Sequence, residues 1–203
     1  MNSISKKANM GKKVKVGEFT VIKDNVTIGD NVIIGNNVII HEGTNIGSNI
    51  RIDDNTVIGK QPMRSANSIF KDEAKQEPPI IKDGAIIGTG VIIYAGSKIG
   101  KDVLMADLST IREESVVGDK TIVGRNATIE NKCKVGANCK IQTNAYITAY
   151  SDIGDHVFIA PGVVTTNDNY AGRSKERFKY HKGITVKTGG RIGANVTTMS
   201  GIT

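Results

Sequence analysis

Asp107, Arg125 with Asn126, and Gln142 with Asn144 recur at intervals of about eighteen residues. Together they offer a carboxylate that can take a proton, a guanidinium that can keep that carboxylate ionised, and three amides that both donate and accept. That equipment suits a polar ligand with several hydroxyl or carboxylate-like groups around one ionisable centre. A second set follows downstream. Asn167 and Asp168 open a polar, basic stretch, 165–183, that contains Arg173, Lys175, Arg177, Lys179 and Lys182. Arginine and lysine at that density suit phosphates. His181 in the same stretch is a second candidate proton acceptor.

The spacing matters only if the chain stacks residues eighteen apart, and a six-residue repeat does this. An aliphatic residue leads each hexad from Val16 to Ile58, from Ile81 to Ile159, and again through Val186, Ile192 and Thr198. Of these 25 hexads, all but two are led by Ile or Val. A period of six fits neither a helix nor an alternating strand. It marks a parallel β-helix in which each hexad is one short strand and one turn. With three hexads per triangular coil and coils about 4.8 Å apart, roughly eight coils give a prism on the order of 40 Å tall. Gly directly follows the lead residue in twelve hexads, which reads as a corner needing unusual φ.

The chain reads as one all-β domain, 1–203. It has N-terminal coils over 16–63, an insertion over 60–80, central coils over 81–164, the basic loop at 165–183 and a last coil at 184–203. The insertion holds Pro62, Pro78, Pro79 and the charged run Lys71-Asp72-Glu73-Ala74-Lys75. Long segments ejected from a rigid scaffold usually carry function. At the sixth hexad position, which faces outward, Ile86, Leu104, Ile122 and Phe158 share one column with Lys140. An apolar wall of that size predicts a partner subunit, and a triangular prism closes most simply as a homotrimer. The Asp107–Asn144 column lies beside this wall, and clefts between subunits are common ligand sites.

Composition narrows the classes. The net charge is +7, aromatic residues make up 4%, and there is no Trp. The charge favours anionic ligands, while the scarcity of aromatics disfavours nucleic acid. No apolar segment follows the N-terminal lysines, so no membrane partner and a cytoplasmic location are expected. Cys133 and Cys139 sit at the fifth hexad position among small residues and read as core fillers. His41, His156 and His181 lack the spacing of a metal site, so no metal is expected.

The hexad array resembles the hexapeptide-repeat acyltransferases, whose fold is a left-handed parallel β-helix. The second half is more specific. Thr110-Ile111-Arg112-Glu113, Val123-Gly124-Arg125-Asn126-Ala127-Thr128-Ile129-Glu130, Ile141-Gln142-Thr143-Asn144-Ala145-Tyr146-Ile147 and Val157-Phe158-Ile159-Ala160-Pro161-Gly162-Val163-Val164-Thr165-Thr166-Asn167-Asp168 follow in order. Lys182-Gly183 and Gly190-Arg191-Ile192-Gly193-Ala194-Asn195 complete the series. This is similar to transferases that use acetyl-CoA to N-acetylate amino sugars on a nucleotide carrier.

The resemblance implies acetyl-CoA as co-substrate and a nucleotide-linked amino sugar as acceptor. Asp107 would be the general base, in a turn where such relatives often have His, with Asn144 beside it. Arg125, Asn126, Gln142, Asn167 and Asp168 would hold the acceptor. Arg173, Lys182, Gly190 and Ala194 would hold the coenzyme. Two other readings stay open: an acyltransferase for an amino-dicarboxylate of the tetrahydrodipicolinate type, and a non-catalytic trimeric scaffold.

Overall fold

The computed structural model describes residues 1–66, 68, 75–173 and 175–203, and for Phe178 the backbone alone. The run Lys71-Asp72-Glu73-Ala74 lies outside the described residues. The chain winds into a parallel β-solenoid of about nine coils. Its 28 described strands form three sheets of ten, nine and nine strands, with every pairing parallel. Face 1 runs from Ser3–Ile4 to Thr197–Thr198, face 2 from Asn9–Met10 to Thr185–Val186, and face 3 from Lys15–Val16 to Arg191–Ile192. The register is the expected eighteen, as in Leu104↔Ile122 and Thr110↔Thr128.

The coil count exceeds the sequence estimate of eight. Ile4 and Met10 continue the hexad register towards the N-terminus, and Thr165 adds a strand where polar residues hid the pattern. Lead residues from Ile22 to Ile159 fill the bore, nearly all of them fully buried. Burying each such side chain stabilises by about 1.5–3 kcal/mol.

Fifth-position hydroxyls tie the corners to the next coil. Ser115 Oγ donates to the Glu130 carbonyl at 2.7 Å, and Thr121 Oγ1 to the Gly136 carbonyl at 2.8 Å. Buried, unpaired Cys133 and Cys139 repeat that role, with Sγ at 3.1 Å from the Thr148 carbonyl and 3.0 Å from the Gly154 carbonyl. Burial pushes the Cys133 thiol up to about 12, so it stays protonated.

The glycine expectation needs correction. The left-handed corner residues lie two positions further on and are of several types, with asparagine and glycine the most frequent; Asn126 (φ 55°) and Asn144 (φ 60°) are among them. Gly124 instead answers to close approach, since a Cβ there would lie 2.6 Å from the Gln142 carbonyl carbon in the coil above. A second correction concerns the surface. Face 1 also has an apolar outer column: Val21, Ile39, Val57 and Ile92. The 35-residue step from Val57 to Ile92 interrupts the eighteen spacing and conceals it. The two apolar columns flank a single prism edge, between face 3 and face 1. We call it the seam edge.

Candidate active site

The seam edge gathers Asp107, Arg125, Asn126, Gln142 and Asn144 as expected. Backbone bonds stack the turns, from Asn126 N–H to the Asp107 carbonyl at 2.9 Å and from Asn144 N–H to the Arg125 carbonyl at 3.0 Å. The same geometry gives several of these side chains structural work. Asp107 Oδ1 accepts the Thr89 N–H at 2.9 Å. Asp30, Asp54, Asp119 and Asp155 do the same for the coil below at other corners. Asn126 Nδ2 donates to Asn144 Oδ1 at 2.9 Å, matching Asn31 and Asn49. Arg125 is exposed and Gln142 half-buried.

The basic loop leaves the far side of face 1, between Thr165 and Thr185, and the insertion leaves the same edge between Lys60 and Ile80. Asn167, Asp168, Arg173 and Lys182 therefore share this loop edge and do not join the seam cluster within one chain. Asp168 folds the loop: its oxygens accept the N–H groups of Tyr170 (2.9 Å) and Gly172 (3.1 Å), and Arg177 lies 3.5 Å away. The Tyr170 backbone bond first, then Gly172 and Arg177, hold its carboxyl below the usual range. Asn167 is half-buried; Arg173 and Lys182 are exposed. Gly190 and Ala194 lie on different edges of the last coil. The Gly190 carbonyl accepts the Phe158 N–H at 3.0 Å, and Ala194 is exposed.

The loop edge also holds a charge cluster that the sequence did not single out. The Glu113 side chain is fully buried. Its carboxylate receives Arg64 from the insertion at 2.6 Å and Arg112 at 2.9 and 3.2 Å. Arg112 also reaches Glu130 at 3.2 Å and lies 4.9 Å over the Tyr94 ring. Burial alone would raise the Glu113 carboxyl, but hydrogen bonds from Arg112 and Arg64 outweigh it and hold it low. Burial, then the neighbouring Glu130 carboxylate, pushes Tyr146 up to about 12.

Tyr146 lies beside Glu130 and stands on the open side of face 1. At the third hexad position on this edge Glu42 stays exposed, meeting Lys75 of the insertion at 3.5 Å. Glu113 and Asn131 at that position are buried. The signal available beforehand was Arg112-Glu113 one coil below Glu130, opposite a lone Arg64 in an ejected segment. Among the described residues, no group of three or more His, Cys, Asp or Glu side chains could hold a metal ion.

Two repeat profiles match this array. The bacterial transferase hexapeptide (six repeats) matches residues 7–42, 114–149 and 132–167, and the hexapeptide repeat of succinyl-transferase matches 25–60. Together they cover more than half of the 203 residues. The chain belongs to the hexapeptide-repeat transferases.

No curated protein sequence matches this hexapeptide-repeat chain significantly. Its solenoid is similar to that of a UDP-N-acetylglucosamine acyltransferase from Bacteroides fragilis. The TM-score is 0.74 at 26% identity, over 82% of this chain and 66% of that one. An Acinetobacter baumannii counterpart shares the fold, with TM-score 0.72 at 21% identity, over 80% of this chain and 64% of that one. The hexapeptide-repeat chain thus spans just under two thirds of their length.

Proposed function

We propose that this hexapeptide-repeat chain is an acyltransferase. It moves an acetyl or other short acyl group from acyl-coenzyme A to the amino group of a nucleotide-linked amino sugar. The observation that carries this reading is the shared solenoid with the Bacteroides fragilis UDP-N-acetylglucosamine acyltransferase. The basic loop on the same edge as the buried Glu113 and half-buried Glu130 carboxylates supports it. The succinyl-transferase repeat profile covers only coils at 25–60, away from that loop, so it adds nothing for an amino-dicarboxylate acceptor.

The chemistry needs a neutral amine held against the thioester carbonyl. The C–N bond forms, the tetrahedral centre collapses with cleavage of the C–S bond, and the nitrogen's proton goes to a base. Positioning supplies several kcal/mol of that barrier, about 7–11 at best. For the base, geometry favours Glu130 over Asp107. Asp107 already serves a turn, as its equivalents do at other corners. Glu130 is half-buried, oriented by Arg112, and lies beside Tyr146 on the open face. The active assembly is a homotrimer. The apolar columns of faces 1 and 3 suit a head-to-tail contact between neighbouring subunits, which closes as a ring.

Thermal-shift measurements with acetyl-CoA and with UDP- and dTDP-amino sugars test the reading. Stabilisation by coenzyme and by one nucleotide sugar is expected. Stabilisation by neither would leave the scaffold reading.

A further inference from the structure

The second excursion builds a cleft of about 560 Å³ against the last coil, lined by Tyr170, Lys179, Tyr180, His181 and Lys182 with Ser200 opposite. Its walls are fixed before any ligand arrives. Asp168 pins the turn that carries Tyr170. Asn169 clamps Ser200 from both sides, accepting its N–H at 3.0 Å and donating to its carbonyl at 3.3 Å. Ser200 Oγ in turn donates to the Lys182 carbonyl at 2.7 Å. A preformed wall spares a ligand the entropy of ordering it.

The lining pairs two chemistries. Tyr170 and Tyr180 stack with ring centroids 6.2 Å apart and planes 27° from parallel, yet Tyr180 remains 62% exposed. In a chain whose aromatic content is 4%, two stacked rings with open surface form a platform for a planar ligand. Lys179 and Lys182 are exposed and have no acidic partner among the described residues. They supply cationic charge at the rim of the same cleft. Burial pushes the His181 imidazole below its usual range, with Arg177 adding to that and Asp168 opposing it. A simple anion needs no tyrosines, and a bare sugar needs no lysines. A nucleoside phosphate uses both.

We propose that this cleft is a nucleoside-phosphate site, with Tyr180 as the stacking surface and Lys179 and Lys182 as phosphate partners. The site rests on the acyltransferase reading for the source of its ligand: the nucleotide of the acceptor, or the adenosine bisphosphate end of the coenzyme.

Isothermal titration of the full chain with UDP, dTDP and 3′,5′-ADP tests it. Wild type should bind at least one of them, with affinity falling as salt rises. Tyr180→Ala should weaken that binding at least fivefold, and Tyr180→Phe should stay within twofold. Lys179→Ala with Lys182→Ala should weaken it and flatten the salt dependence. Loss of UDP or dTDP binding in Tyr180→Ala places the acceptor's nucleotide here; loss of 3′,5′-ADP binding places the coenzyme's. Wild-type binding that Tyr180→Ala leaves unchanged overturns the site but not the acyltransferase reading. A wild type that binds none of the three overturns both.

Discussion

Arg64 and Glu113, 49 residues apart in sequence, meet at 2.6 Å where the insertion folds back over the loop edge. The carboxylate is fully buried and Arg112 closes it from the other side. Removing one partner of such a cluster leaves charge uncompensated in a low dielectric.

Arg64→Ala should therefore lower stability by about 3 kcal/mol, at the low end of the usual range because Arg112 remains. The pH sign follows from the depressed Glu113 carboxyl. Its contribution is present above the unfolded value, about 4.3, and is lost as pH falls through the lower folded value. Denaturant midpoints measured from pH 7 to pH 2 should show a steep acid limb in wild type, shallower in Glu113→Gln. Identical limbs would contradict the cluster's role.

The two candidate bases separate kinetically. Glu130→Gln should reduce kcat by two orders of magnitude or more, roughly the worth of general base catalysis, with KM little changed. Asp107→Asn should keep kcat within about threefold, because Asn36 fills the equivalent turn position with its own Oδ1 2.7 Å from the Glu18 N–H. The reverse pattern would return the base to Asp107.

Asn144 calls for two variants. At φ 60° an alanine is strained, by roughly 1–2 kcal/mol, while glycine is not. Asn144→Ala should lose thermal stability and Asn144→Gly should largely keep it. If the amide serves only the corner, the glycine variant keeps kcat/KM within threefold. A tenfold loss in Asn144→Gly would mean that the amide holds the acceptor.

Trimer formation should fail from either wall. Leu104→Glu with Ile122→Glu on face 3, or Ile39→Glu with Val57→Glu on face 1, should each give monomers or aggregates in light scattering. A wild-type monomer at micromolar concentration, or trimers that tolerate the face 1 pair, would refute the two-walled ring.

The sequence made the solenoid legible because one aliphatic position repeats and its partners lie a fixed distance apart. Ile122 over Leu104 follows from counting. Counting also placed Asp107 under Arg125 and Asn126 under Asn144 correctly. It could not tell catalytic amides from corner amides, because the same residue types satisfy left-handed turns at every edge. Nor could it see Glu113. Its burial comes from an ejected segment folding back, and a contact such as Arg64 with Glu113 has no period. The loop was legible as basic, but Asp168 and Arg177 proved to be its internal struts, leaving Arg173, Lys179 and Lys182 exposed.

The central claim is acyl transfer to a nucleotide-linked amino sugar. Its most direct measurement is thiol release from acetyl-CoA by the purified chain against a panel of UDP- and dTDP-amino sugars, with the product weighed by mass spectrometry. The account predicts thiol release that depends on one nucleotide amino sugar and saturates with it, and a product heavier by one acetyl group on nitrogen. Release that occurs equally without any sugar, or no release with any acyl-CoA and acceptor pair under conditions where the trimer is intact, would contradict it.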